Sequence, residues 1–186
     1  MILGLIPSRL NSTRLKEKPL LEIDGLPIII HTLKRAKLAK KLDKVIVCTD
    51  HKKIFEIVKD YGGDAIITSK KHRNGTERIA SVAKKFKAKL IVDIQGDEPL
   101  VDPNDIDKVI SFHLKNKNFD IVVPSMETKT PERDSLVKVI FNKKGKIIYF
   151  SRAKIPYNYK NKKIKYFKDL SIVSFKQKAL ENFAKF

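Results

Sequence analysis

Short apolar runs at 2–6, 44–48, 64–67, 90–94 and 120–124 alternate with stretches near 27–40, 51–60, 76–87 and 103–116 in which apolar residues recur at helical spacing. A run of about five Ile- and Val-rich residues without polar alternation suits a strand covered on both faces. Helices between successive parallel strands supply that cover, so the pattern predicts an α/β fold around a mostly parallel sheet. The helical stretches carry their own signals. Pro27 and Pro103 suit first turns, and Ile79, Val82, Ala83 and Phe86 form one stripe. In such sheets ligands bind beyond the carboxyl ends of the strands. The informative loops therefore follow residues 6, 48, 67 and 94.

Beyond residue 125 the pattern changes. Val137–Phe141 and Lys146–Phe150 flank Asn142-Lys143-Lys144-Gly145, the signature of a β-hairpin. Residues 157–168 are basic and aromatic-interleaved with no clean period. A strand is expected over 170–175 and a helix over 176–186. The reading is an α/β core over 1–125 and an appended hairpin lobe over 126–186.

No apolar run approaches the ~20 residues needed to cross a bilayer, and Met1 leads straight into a strand-like segment without a basic leader, so a cytoplasmic protein is expected. Cys48 is the only cysteine, which excludes a disulfide framework and a cysteine-based zinc site. His31, His51 and His113 lie at no metal-ligand spacing and read as helix-face residues. The formal net charge of +19 raises the question of a polyanionic partner. Yet only seven of the 40 basic residues are arginine, and lysines such as Lys34, Lys37, Lys40 and Lys41 fall on polar helix faces. A base-reading surface concentrates arginine and aromatics on one element, so the charge is read as a lysine-rich surface and not as a nucleic-acid site.

Three loops carry candidate chemistry. The first, Ile6 to Leu20, offers Arg9, Arg14, Lys18 and several hydroxyls, including Thr13, directly after a buried strand. Such a loop can cradle a triphosphate with side chains, because the glycines and the Gly-Lys-Ser/Thr ending of a P-loop are absent; taken alone it also reads as a solvated basic loop. The segment His72-Arg73-Asn74-Gly75-Thr76-Glu77-Arg78 opens a helix, where Gly75 permits close backbone approach and Thr76 can cap, as in any capped helix with a salt-bridged Arg78. The third is Gln95-Gly96-Asp97-Glu98-Pro99, which ends a strand interrupted only by Asp93. Asp97 there is either a magnesium ligand or a turn-capping acid. Asp50 either caps the next helix or touches ligand.

Taken in order, Ile6-Pro7-Ser8-Arg9, Ser12-Thr13-Arg14-Leu15 with Lys18-Pro19-Leu20, Thr49-Asp50, His72 with Gly75-Thr76-Glu77-Arg78, Gln95-Gly96-Asp97-Glu98-Pro99, and Phe150-Ser151-Arg152-Ala153 with Ile155-Pro156 resemble the CMP-Kdo synthetases, the 3-deoxy-manno-octulosonate cytidylyltransferases. The Phe-Ser-Arg-Ala-x-Ile-Pro segment separates them from the related CMP-acylneuraminate synthetases, which stand as the alternative within enzymes; an inactive nucleotide-binding module of the same fold is the alternative outside them. The resemblance implies a Rossmann-like nucleotidyltransferase fold that joins CTP to an eight-carbon sugar acid, Kdo, for lipopolysaccharide synthesis, releasing pyrophosphate with Mg2+ as cofactor. By the same resemblance Arg9, Lys18 and Asp97 are the catalytic residues, with Asp97 binding magnesium. Pro7, Arg9, Thr13, Arg14, Lys18, Arg73, Gly75, Thr76 and Arg78 form the nucleotide site within 1–125. Gln95, Ser151 and Arg152 face the sugar acid, and residues 126–186 form the sugar-side lobe. A homodimer is implied, with the Val137–Phe150 hairpin and the strand near 170–175 as its contact.

The sequence departs from the family pattern in places. Leu-Pro-Gly-Lys-Pro-Leu is here Leu15-Lys16-Glu17-Lys18-Pro19-Leu20, and the Gln after the histidine of the second segment is Arg73. The family strand His-x-Gly-Ile-Tyr-Gly-Tyr reads Asp169-Leu170-Ser171-Ile172-Val173-Ser174-Phe175, without its histidine and glycines. The family also continues past the point matching Phe186, into a segment whose aspartate supplies magnesium with a second carboxylate. The expectation here is a weaker site held by Asp97 and the nucleotide.

Overall fold

The computed structural model describes residues 1–10, 15–159 and 163–185. Strand β1 (Ile2–Ser8) leads through a short 3-10 turn over Lys18–Leu20 to a ribbon of β2 (Glu22–Ile23) and β3 (Leu26–Pro27). There follow α1 (Ile28–Lys37), β4 (Lys44–Thr49), α2 (Lys52–Asp60), β5 (Asp64–Ile67), α3 (Gly75–Ala83), β6 (Leu90–Ile94), α4 (Pro103–Lys115) and β7 (Ile121–Val122). Then come β8 (Ser125–Thr128), β9 (Lys138–Phe141), β10 (Ile147–Ser151), β11 (Tyr166–Asp169), β12 (Ile172–Lys176) and α5 (Gln177–Phe183).

The chain forms two compact units. One comprises Met1–Val122 together with the stretch from Ser171 onward; the other is Val123–Leu170. The first holds a six-stranded sheet in the order β5-β4-β1-β6-β12-β7, parallel across β5, β4, β1 and β6, with β12 antiparallel to β6 and to β7. The central strands β1, β4 and β6 are buried on both faces, while β5 and β7 at the margins are partly open. On one face Ile6, Val47, Val92 and Ile94 pack against Ile29, Ile30 and Leu33 of α1, Ile54 and Val58 of α2, and Ile106 and Ile110 of α4. On the other, Leu3, Leu5, Ile46, Cys48 and Ile91 meet Ile79, Ala80 and Ala83 of α3 and Leu180 of α5. Fully burying a Leu or Ile side chain contributes about 1.5–3 kcal/mol, so these two layers hold the unit together.

Local chemistry sets the element ends. Asp102 caps α4 by accepting from Asn104 N at 2.9 Å, with Pro103 in the first turn. Asn74, not Thr76, caps α3 through Glu77 N at 2.8 Å. His51 caps α2 through Lys53 N, so it is a capping residue and not a helix-face one. Pro27 sits at the cap position of α1, one residue before the predicted first turn.

The second unit is a four-stranded antiparallel sheet, β10-β9-β11-β8. The predicted hairpin is present, turning at Gly145 with φ 75°, and its β9 pairs with β11 inside the stretch that shows no sequence period. Phe141 and Phe167 meet edge to face across it, their centroids 5.0 Å apart.

Two expectations are corrected. The boundary at 125 moves to 122, and residues 126–186 are not one lobe, because β12 and α5 return to the first unit. The strand near 170–175 is also no dimer surface. Both its edges are hydrogen-bonded, to β6 and β7, and Ile172, Ser174 and Phe175 are buried. Ser174 Oγ meets Nδ1 of the buried His113 at 2.8 Å, and the loss of hydration holds that imidazole below its ordinary value.

Candidate active site

The carboxyl ends of β1 and β6 meet over small residues. A Cβ on Gly96 would lie 2.7 Å from the Pro7 carbonyl oxygen and 3.3 Å from Ile29 Cδ1. No real side chain sits that close to backbone, so only glycine lets the loop after β6 lie on the end of β1. A Cβ on Gly75 would meet the Pro7 ring at 3.1–3.2 Å. Pro7 is thus packed from two sides by glycines of the second and third candidate loops, and the structure brings these three motifs together.

Lys18 and Asp97 meet at the same edge. Lys18 Nζ donates to Asp97 Oδ2 at 2.6 Å, with both side chains partly open to solvent. Pro19, buried in the turn over Lys18–Leu20, anchors the lysine, while Gly96 anchors the aspartate. The turn keeps the shape that the family builds with glycine, since Glu17 takes a left-handed φ of 52°. An ammonium and a carboxylate held together in a crevice can receive a phosphate and a cation side by side. Arg9 is exposed at the end of β1. Thr13 and Arg14 lie outside the described residues.

Gln95 Nε2 donates to Asp93 Oδ1 at 3.2 Å. Asp93 is 2% exposed within β6, and burial pushes its carboxyl up to about 7. The same burial pushes the nearby Cys48 thiol up. The motif reading gave Asp93 no role, and the signal for this buried carboxyl is a lone carboxylate inside an otherwise apolar strand.

At the start of α3 the salt-bridged Arg78 that the sequence offers as one reading is present. Arg78 is 3% exposed and its Nη2 donates to Asp50 Oδ2 at 2.8 Å. Its Nη1 donates to Thr68 Oγ1 at 2.5 Å. The guanidinium braces the ends of β4 and β5 against α3. Asp50 does not cap α2, a place that His51 takes; it is half-buried, and its other oxygen accepts from Leu10 N at 3.4 Å. Arg73 is exposed and bonded through Nε to Glu77 Oε1 at 2.6 Å, and its own N–H holds the Glu77 carboxyl below the usual range. Thr76 is half-buried in the first turn of α3.

Ser151 and Arg152 belong to the second unit. Ser151 Oγ accepts from Ala153 N at 3.0 Å. Arg152 Nη1 donates to the carbonyls of Asp134 and Ser135 at 2.8 and 3.2 Å. Beneath them Lys138 is fully buried, although the alternation of the hairpin assigns it to a polar face.

No three His, Cys, Asp or Glu side chains among the described residues cluster as a cation cage. Were magnesium bound there, Asp97 would offer it a single carboxylate, which suits an ion that completes its shell with phosphate and water oxygens. No helix among the described residues is long and apolar enough to cross a membrane.

Residues 3–186 match the family model described as cytidylyltransferase. A 3-deoxy-manno-octulosonate cytidylyltransferase of Leptospira biflexa serovar Patoc is 38% identical over 98% of this chain and 75% of its own. One from Fusobacterium nucleatum subsp. nucleatum is 41% identical over 98% and 76%. The solved structure of a CMP:2-keto-3-deoxy-manno-octonic acid synthetase complexed with CTP superposes with a TM-score of 0.93 at 32% identity, over 99% of this chain and 77% of that one. With the first unit's loop motifs gathered at the carboxyl ends of its strands and these likenesses over nearly its whole length, the chain belongs to the cytidylyltransferase family, among the 3-deoxy-manno-octulosonate cytidylyltransferases.

Proposed function

We propose that this protein joins CTP to 3-deoxy-manno-octulosonate, giving CMP-Kdo and pyrophosphate, as a cytoplasmic step toward lipopolysaccharide. The observation that carries the reading is the Lys18–Asp97 pair, 2.6 Å apart where β1 and β6 end. In this reaction the anomeric hydroxyl oxygen of the sugar forms a bond to the α-phosphorus, its proton is released, and the bond to the β-phosphate oxygen breaks in line. Charge then builds on the departing pyrophosphate. Lys18 and Arg9 offset that charge, and donors already aimed at developing charge stabilise a transition state most. Pro7, Gly75 and Thr76 form the nucleotide side, joined by Arg73 once it exchanges Glu77 for ligand. Gln95, Ser151 and Arg152 receive the sugar acid. Magnesium, held by Asp97 with the phosphates, would supply further neutralisation of the triphosphate.

The test is pyrophosphate release from CTP plus Kdo across a magnesium titration, for the wild type and Asp97→Asn. The wild type should release pyrophosphate only when Kdo is present. The variant should lose transfer yet keep most of its CTP-induced thermal shift, since it removes a metal ligand and no phosphate donor. A normal CTP shift without release at any magnesium level would make the protein a binding module and sink the reading.

A homodimer is also proposed, through the hairpin alone. Ile148 and Tyr149 on β10, an edge strand, are 65% and 60% exposed, with Phe150 beside them. A contiguous apolar patch on an open strand edge marks a protein contact. A monodisperse monomer in sedimentation at tens of micromolar would reject it.

A further inference from the structure

Among the described residues, Lys138 is the largest fully buried side chain that carries a formal charge. A buried ammonium is tolerated only when its N–H groups are satisfied, and an apolar side chain would fill the same space at less cost. Its three donors are matched by three backbone acceptors. Nζ donates to the carbonyls of Arg133 at 3.0 Å and Leu136 at 2.9 Å, and to the carbonyl of Arg152. The acceptors lie on two segments: the 133–136 loop before β9 and the residue just after β10. The link is returned from outside, because Arg152 Nη1 donates to the Asp134 and Ser135 carbonyls of that same loop. One cation thus fixes the backbone of Arg152 from within while the guanidinium fastens its side chain to the loop.

We propose that Lys138 is a positioning residue for the carboxylate of the sugar-acid substrate, acting through Arg152. This rests on the reading of Arg152 as a sugar-side residue. With Nη1 committed to the 134–135 carbonyls, a substrate carboxylate is received on the Nε and Nη2 edge, in the paired geometry that makes an arginine selective for carboxylates. Such a contact needs the guanidinium plane set before binding, and a wandering backbone at residue 152 would lose it. Packing alone does not call for a lysine here; fixing a carbonyl from below does.

The experiment compares full-length wild type, Lys138→Met, Arg152→Ala and the double variant in steady-state assays varying each substrate. Lys138→Met should raise the KM for Kdo about tenfold while the KM for CTP stays within about twofold, the signature of lost binding at one substrate only. In the Arg152→Ala background the same change should add no more than about twofold, because the route through Arg152 is already gone. Lys138→Gln keeps two N–H donors and should fall between wild type and Lys138→Met; it carries the test if Lys138→Met does not fold. Equal loss for both substrates, or full additivity with Arg152→Ala, would overturn the proposal and leave Lys138 a structural residue. If Arg152→Ala leaves the KM for Kdo unchanged, the sugar-side assignment of Arg152 fails first. If Arg152→Ala raises it and neither Lys138 variant does, the inference about Lys138 alone fails.

Discussion

Asp93→Asn should make the protein more stable, and increasingly so as the pH rises. Asp93 is buried in β6 with a hydrogen bond from Gln95, and desolvation pushes its carboxyl from the ordinary 3.8 up to about 7. The folded state therefore holds the proton more tightly than the unfolded chain. Its contribution is fully present below pH 3.8 and is lost as pH rises through about 7. At ~1.4 kcal/mol for each tenfold in the ionisation constant, the loss reaches about 4 kcal/mol once both states are ionised. Asparagine has the same shape, still accepts from Gln95 and never ionises. Urea unfolding of both proteins at about pH 4.5 and pH 8 should show the gap between them widening by about 3 kcal/mol, with other groups cancelling in the comparison. A gap that stays the same at both pH values, within about 0.5 kcal/mol, would show that Asp93 is hydrated in solution and that its burial is misjudged.

Glu17→Gly should raise the melting temperature by about 2–4 °C, since a non-glycine residue at φ 52° costs about 1 kcal/mol and the exposed 3.5 Å pairing with Lys53 contributes little; no rise would show the turn to be unstrained. Asp50→Ala should cost about 3–5 kcal/mol in urea unfolding by stranding the buried Arg78 guanidinium, and a loss below about 1 kcal/mol would show that water reaches it. Lys18→Ala and Arg9→Ala should each weaken CTP binding by about 1.5–3 kcal/mol and CMP binding much less, measured by calorimetry; equal losses would remove both residues from the outer phosphates.

The α/β core was legible because its central strands are buried on both faces, and their Ile- and Val-rich runs announce that directly. The insertion of β12 beside β6 was not, because periodicity says which residues face inward and nothing about which strand lies alongside. β11 was hidden for a related reason. Its Tyr166-Phe167-Lys168-Asp169 mixes aromatic and charged residues, and its pairing with β8 and β9 is what makes it a strand. At the candidate site, the loops after β1 and β6 come together, and the Lys18–Asp97 pair that joins them was not foreseen. Partners of buried charges were the blind spot. Nothing near Arg78 in the sequence points to Asp50, and nothing near Lys138 points to the carbonyl of Arg152. Two departures from the family pattern also proved milder than their letters suggest. Glu17 and Ser171, standing where the family carries glycine, both adopt left-handed φ values, 52° and 56°, so the backbone shape outlasts the residue that usually provides it.

The antiparallel seat of β12 bears on how the protein is made. Its partner on one side, β6, is finished at Ile94, but residues 172–176 leave the ribosome only after the whole Val123–Leu170 unit has been synthesised. During that interval β6 presents an unpaired edge of Leu90, Ile91, Val92 and Ile94 to its surroundings. The nascent chain is therefore open to aberrant strand pairing over that interval. The intervening unit is a cassette whose two ends are fastened to each other, Leu170 N donating to the Pro124 carbonyl at 3.3 Å. Such splicing lets the second unit be exchanged between scaffolds without redrawing the first, provided the incoming piece returns its chain beside β7.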